Sequence, residues 1–280
     1  MTKRIGLVSR LDHNDALAKS KEIYDFILKR KLTVLPETGL ARLQNLEGGC
    51  QISEMDVDLV VTVGGDGTVL KTCINLPKPD TPILSVNMGR RGYLTEVEPV
   101  HAIKALESYL SGDYRLEDHL KLSIHLDNRW LADGLNEALV TSTMPSKMLR
   151  FSLRLDNRKL VECRADSVIV ATPTGSTAHA MSAGGPILDN SLDAFVIVFV
   201  CSLEPIRPIV IPSRSSIEIS LLDERPVGEI VVDGRYQHKL FPRSFLQIRR
   251  SKYKSVFVRF ETSLLSRSLS RLQPREFRAI

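Results

Sequence analysis

Residues 58–70 read Asp-Leu-Val-Val-Thr-Val-Gly-Gly-Asp-Gly-Thr-Val-Leu. An apolar run enters three glycines that surround one carboxylate, Asp66, and a helical pattern follows. Gly64, Gly65 and Gly67 let the backbone turn sharply and approach a ligand closely. A helix start just beyond offers N–H groups and a positive dipole end, which suit a phosphate. Asp66 does not suit a bare phosphate, because like charges repel. A carboxylate there suits a metal ion, or takes the proton from a hydroxyl that attacks a phosphoryl group. Loop, helix start and carboxylate together point to a kinase outside the P-loop type.

Three further groups could contact a ligand. Asn87-Met88-Gly89-Arg90-Arg91-Gly92-Tyr93-Leu94 is a glycine turn in which Arg90 or Arg91 could meet a polyphosphate. Residues 171–187 are dense in hydroxyls and glycines, with Thr174, Ser176, Thr177 and Ser182 able to recognise a flat polar ligand. His179 in that stretch reads as a contact, not as a base. Asn136-Glu137 interrupts an apolar strand pattern. An Asn amide can pair bidentately with an adenine edge, although a polar pair at a sheet edge is the plain alternative. Asp166 and Asp233 flank strands and read by themselves as turn residues.

These groups need elements to hold them. The first ~95 residues alternate strand and helix patterns. Strands are expected at Arg4–Ser9, Leu32–Leu35, Asp58–Val63 and Pro82–Val86. Helices are expected over Asn14–Arg30, with Asp12 or Asn14 as N-cap, over Thr68–Asn75 and over Pro99–Leu110. That alternation predicts an open parallel α/β sheet, with ligands beyond the carboxyl ends of its strands. From about Leu116 the texture changes to period-two alternation. Strands are expected at Lys121–Leu126, Arg129–Thr141, Leu149–Leu155, Leu160–Thr172, Ala194–Cys201, Ser216–Leu222, Glu229–Val232 and Ser244–Arg249, with Asp127-Asn128 as a hairpin turn. The fold class is therefore α/β + β. The expected domains are 1–98, α/β; 99–256, β-rich; and a basic segment, 257–280. Leu264, Leu265, Leu269 and Leu272 there have helical spacing and could pack back on the first domain.

Bulk properties set bounds. A chain of 280 residues with 43% hydrophobic and 25% charged residues can bury a large core. No apolar run approaches the ~20 residues that a spanning helix needs, and the N-terminus reads as a strand, not a signal peptide. Cys50, Cys73, Cys163 and Cys201 lack close spacing, which favours reduced thiols in a cytoplasmic protein over disulfides or a zinc site. The net charge is +5, yet ten Lys or Arg against two Asp or Glu fall between Arg243 and Arg278. Without aromatic interleaving or a groove-reading motif, this cluster reads as a solvated face or a wall beside a phosphate site, not a nucleic-acid surface.

Gly64-Gly65-Asp66-Gly67-Thr68, Asn87-x-Gly89-x-x-Gly92-Tyr93-Leu94-Thr95, Asn136-Glu137 and Pro173-Thr174-Gly175-Ser176-Thr177-Ala178-His179 resemble, in order and spacing, the NAD kinases. The likeness covers about residues 1–260. The first motif is shared with diacylglycerol and sphingosine kinases and resembles a phosphofructokinase loop. The Pro-Thr-Gly-Ser-Thr-Ala segment with Asn-Glu upstream is far more specific. The resemblance implies an active site between the two domains. It also implies phosphoryl transfer from ATP, or inorganic polyphosphate, to the adenosine-ribose 2′-hydroxyl of NAD, with Mg²⁺ on the ATP phosphates. It makes Asp66 the general base, and Asn136 and Glu137 adenosine and ribose contacts. Asp166, Thr174, Thr177, Ala178 and Ser182 become NAD-binding positions. Gly65, Gly67, Thr68, Asn87 and His179 match further motif positions, and Lys71, Arg164 and Asp233 match positions near the ligands. No protein metal ligand set is implied. A homodimer or homotetramer is. One departure stands out: the family usually has Tyr where this chain has His179, which implies altered dinucleotide packing and an unchanged reaction. A lipid or sphingoid kinase, or a non-catalytic NAD sensor, are the alternatives. The first leaves Asn136-Glu137 and the 173–185 segment unexplained, and an intact Asp66 speaks against the second.

Overall fold

The computed structural model describes residues 3–89 and 92–260. Arg90, Arg91 and the leucines expected to form a C-terminal helix lie outside the described residues. The chain forms two compact units, one from the chain up to Asp118 together with the chain from Val256 on, the other from His119–Ser255.

The first unit is built from β1 (Arg4–Ser9), α1 (Asn14–Lys29), β2 (Thr33–Pro36), α2 (Thr38–Gln44), β3 (Leu59–Gly64), α3 (Asp66–Asn75), β4 (Ile83–Asn87) and α4 (Ala102–Ser111). The strands run parallel in the order β2-β1-β3-β4. Every residue of β3 is buried, as a parallel strand covered on both faces requires. On one face Ile5, Leu7, Leu59, Val61, Val63 and Leu84 pack against Ile23 and Ile27 of α1 and Leu106 of α4. The alternate residues Val8 and Val60, equally buried, face the other way, and α3 packs on β3 and β1. The loops after β1, β3 and β4 thus share the carboxyl edge of one sheet.

Two expectations shift here. The side chain that caps α1 is His13, whose Nδ1 accepts the Ala16 N–H at 3.3 Å, not Asp12 or Asn14; Asp12 is taken by Arg10 at 2.8 Å. Helix α3 begins at Asp66, two residues before the expected Thr68. Asp66 is therefore the first helical residue and not the middle of a loop.

The second unit is antiparallel. Its elements are β5 (Arg115–Leu126, entering from the first unit), β6 (Arg129–Gly134), β7 (Glu137–Ser142), β8 (Leu149–Leu155), β9 (Arg158–Ala165), β10 (Ser167–Ala171), α5 (His179–Ser182), β11 (Ala194–Val200), β12 (Ile209–Pro212), β13 (Ile217–Leu221), β14 (Gly228–Val232), β15 (Tyr236–Leu240) and β16 (Phe245–Arg259). One sheet has the order β12-β11-β10-β7-β14-β15. In the other, β16-β13-β8-β9 are neighbours, and β5 pairs with β6 and β16. Strand β16 then continues into the first unit, where Phe257 pairs in parallel with Ile83. Ile169, Ala171, Val196 and Val198 of the six-stranded sheet bury one face under Ala180 of α5 and Leu188.

Two expected strands are each broken. Arg129–Thr141 divides into β6 and β7 at Leu135-Asn136, and Leu160–Thr172 lies in β9 and β10, which part at Asp166. Their apolar alternation runs across both breaks, so periodicity alone could not reveal them. Asn136 consequently sits in a break, and Glu137 opens a new strand. The hairpin turn is as expected: Asp127 and Asn128 have φ 47° and 65°, both left-handed.

Candidate active site

In the first unit the chemistry collects at the ends of β3 and β4. Strand β3 stops at Gly64 because α3 must turn back immediately: a Cβ on Gly64 would lie 2.2 Å from Thr68 Oγ1. Around Gly65 a Cβ would meet nothing within 4 Å, so this glycine leaves room beside the helix start. No side chain caps α3. Asp66 is oriented by the neighbouring loop: its Oδ2 accepts the Tyr93 N–H at 2.9 Å and its Oδ1 the Leu94 N–H at 3.0 Å. Two fixed donors set the plane of the carboxylate and leave each oxygen further lone pairs. Thr68 is buried against Gly64. Asn87 Oδ1 accepts the Gly89 N–H at 3.0 Å, shaping the start of the second loop.

Leu94 is itself held. Arg259 Nη1 donates to its carbonyl at 3.3 Å, and Ser85 Oγ donates to it at 3.1 Å. Arg259, only 3% exposed, is balanced by Glu117 at 2.8 Å and Glu96 at 3.3 Å. This buried ion cluster positions the peptide that positions Asp66, and the sequence offered no signal for it. Lys71 is engaged elsewhere, in an ion pair with Glu37 beside α2.

In the second unit one carboxylate organises the break between β6 and β7. Asp233, in the left-handed conformation at φ 49°, accepts N–H bonds from Leu135 at 2.7 Å, Asn136 at 2.8 Å and Glu137 at 3.0 Å. Its role is thus to fix the Asn136-Glu137 backbone. Burial pushes the Asp233 carboxyl up; the three N–H bonds and the Lys121 ammonium act the other way. Glu137 is pushed up to about 7, first by burial and then by the Asp233 charge, and its Oε2 has no hydrogen-bond partner among the described residues.

The hydroxyl-rich loop closes on the same break. Thr172 donates through its Oγ1 to Leu135 O at 2.6 Å and through its N–H to Asn136 O at 2.9 Å. Gly175 follows so closely that a Cβ would lie 2.0 Å from Asn136 O. Thr174 Oγ1 lies 3.3 Å from Asn190 Oδ1 and 2.8 Å from Nδ1 of buried His119. Ser176 is buried and tied to Pro173 and Leu188. Thr177 and Ala178 are half-buried, while His179 and Ser182 are exposed on α5.

The second unit thus brings together Asn136, Glu137, Asp233, Thr174, Thr177 and Ala178, with His179 and Ser182 on the adjoining helix. Arg164 and Asp166 are not part of that group. Ala171 pairs with Glu137 while Ser167 pairs with Thr141, so Asp166 lies at the far end of β10, roughly 17 Å away. The first unit brings together Gly65, Asp66, Gly67, Thr68 and Asn87. His119, Thr172, Asn190 and Arg259 were not singled out from sequence, since each acts through a partner distant along the chain.

Known proteins match both parts of the chain. The ATP-NAD kinase N-terminal domain matches residues 5–114, and the ATP-NAD kinase C-terminal domain matches residues 135–260. The NAD kinase of Methanothermobacter thermautotrophicus is 38% identical over 91% of either chain. That of Thermococcus gammatolerans is 38% identical over 97% of this chain and 99% of its own. Among solved structures, an NAD kinase from Archaeoglobus fulgidus in complex with ATP superposes with TM-score 0.76 at 26% identity, covering 95% of this chain and 96% of that one. A yeast NADH kinase complexed with NADH shares the fold, with TM-score 0.87 at 21% identity, over 97% of this chain and 87% of that one. With both domain patterns matched in order and full-length relatives well above 30% identity, the chain belongs to the NAD kinase family.

Proposed function

We propose that the chain phosphorylates NAD, moving the terminal phosphoryl group of ATP to the 2′-hydroxyl of the adenosine ribose to give NADP. The observation that carries the role of Asp66 is its carboxylate, held by two backbone N–H groups at the first turn of α3. A ribose hydroxyl is a weak nucleophile at neutral pH, so in-line placement and a waiting base matter most. As the ribose oxygen bonds to phosphorus, its proton passes to Asp66 and ADP leaves. The uncapped α3 start and the open side of Gly65 favour the phosphate chain. Asn136 and Glu137 contact the adenosine and ribose, and Thr174, Thr177, Ala178, His179 and Ser182 line the dinucleotide. Arg164, Asp166 and Lys71 are outlying contacts in this reading.

Among the described residues no group of three or more His, Cys, Asp or Glu could hold a metal ion. The donors present would suit a divalent ion carried by the ATP phosphates, to which the Asp66 carboxylate could add one oxygen, and such an ion would supply neutralisation of the developing charge. The edge strands β12 and β15 offer unpaired backbone for a homodimer or homotetramer. Four free cysteines fit a cytoplasmic setting. No helix among the described residues is long and apolar enough to cross a membrane.

The test supplies purified protein with NAD, Mg²⁺ and either ATP or polyphosphate, and assays NADP with an NADP-specific dehydrogenase. NADP formed with ATP is expected. Binding of NAD without NADP from either donor would leave a sensor instead of a kinase.

A further inference from the structure

The second unit has a cavity that phosphoryl transfer does not use. It holds about 600 Å³ and is lined by Trp130, Tyr253, His125, Arg249, Lys252 and Asp133, among others. Trp130 and Tyr253 are 62% and 42% exposed. An open pair of large rings of this kind marks a surface that something covers.

The Trp130 ring is set in place. The Trp130 indole N–H donates to Asp133 Oδ1 at 3.0 Å, and Ser251 Oγ donates to Asp133 Oδ2 at 2.5 Å. The one carboxylate lining the cavity is thereby occupied and buried, while the indole face stays open. The Tyr253 N–H donates to Ser251 Oγ at 3.0 Å, and the Lys252 ammonium lies 4.8 Å from the Tyr253 ring centroid. Arg250 is spent on Asp193 at 2.7 Å and 2.8 Å. Arg249 has no carboxylate partner among the described residues. His125 Nδ1 is buried without a hydrogen-bond partner among them. Burial, then the Arg249 charge, lowers the His125 pKa.

A held indole face beside Arg249, which lacks a carboxylate partner, and Lys252, which sits over the Tyr253 ring, suits a flat ring that carries negative charge. Bases stack on such side chains, and Arg forks onto phosphate. The volume lies within the ~300–1,000 Å³ of small-molecule sites, which favours one nucleotide over a strand. We propose that this cavity binds a free nucleotide, its base stacked on Trp130 and its phosphate on Arg249 and Lys252.

Trp130 is the only tryptophan in the chain, so its emission reports on this cavity. ADP titrated into the full chain should quench it saturably, with half-saturation at or below about 1 mM. Arg249→Glu should raise that concentration at least about tenfold and leave the rate of NADP formation unchanged; Lys252→Glu is a second variant with the same expectation. Four results would overturn the proposal. The first is no quenching by ADP; the second is quenching that persists unchanged in both variants, which would place its source at another site. The third is quenching by a thymidine octamer alone, which would make this a nucleic-acid surface. The fourth is emission that depends only on protein concentration, which would mean that a second copy covers the rings. Because NADP formation is assayed separately, failure here does not bear on the kinase reading.

Discussion

Glu137 and His119 show how single residues tune the second unit. Glu137 is pushed up to about 7 by burial and by Asp233. Its ordinary value of 4.5 applies to the unfolded chain. A raised acid binds its proton more tightly in the folded state, so its contribution is full below about pH 4.5 and is lost as pH rises through about 7. The shift corresponds to roughly 3 kcal/mol. Glu137→Gln should therefore flatten the fall in stability between about pH 4.5 and 7, read from urea midpoints across that range. An unchanged slope would show that Glu137 ionises normally. His119 Nδ1 lies 2.8 Å from Thr174 Oγ1. The amide nitrogen of Asn occupies nearly the same place, while Ala leaves the hydroxyl without that partner. We expect His119→Ala to raise the KM for NAD about three- to tenfold, one hydrogen bond's worth, with little change in kcat, and His119→Asn to restore most of it. A loss confined to kcat would contradict a positioning role.

Elements were legible where one period ran unbroken and illegible where a tertiary partner intervened. Strand β1, helix α1 and the hairpin at Asp127-Asn128 follow directly from local pattern and turn chemistry. The break at Leu135-Asn136 does not, because its cause is a carboxylate nearly one hundred positions later in the chain, at Asp233. The sequence showed that Asn136-Glu137 was unusual; it could not show that a break presents it. Helix α2 and strands β12 and β15 were missed because they are short and lack a clear period. The start of α3 was misplaced because glycine is a poor helix former, while Gly65 and Gly67 flank a helical Asp66. Strand β16 ends in Arg259, whose burial between Glu96 and Glu117 supports the peptide at Leu94. Arg259→Ala takes a buried cation away from two carboxylates and should cost about 3–5 kcal/mol in denaturant unfolding. Arg259→Lys, which keeps the charge and loses the fork, should cost less and still lower kcat through Leu94 and Asp66. Wild-type stability in Arg259→Ala would remove the cluster from the account.

At the scale of the whole molecule, the two units divide the labour. The parallel unit presents a carboxylate and a helix start at one sheet edge. The antiparallel unit presents a strand break lined by a hydroxyl loop. The two textures were readable from the motifs' surroundings, since the glycine loop belongs to alternating strands and helices and the Pro-Thr-Gly-Ser-Thr segment to alternating strands; the boundary was not, because α4 and the chain up to Asp118 belong to the first unit and not to a second one starting at residue 99. The most direct test of the account compares the wild type with Asp66→Asn, measuring kcat for NADP formation and, separately, the Kd for NAD. The substitution keeps the side chain's shape, removes the base and keeps an acceptor for one of the two backbone N–H groups. The expected result is a fall in kcat of about 10²–10⁴ with NAD affinity within about threefold of wild type. Turnover that survives would contradict Asp66 as the base.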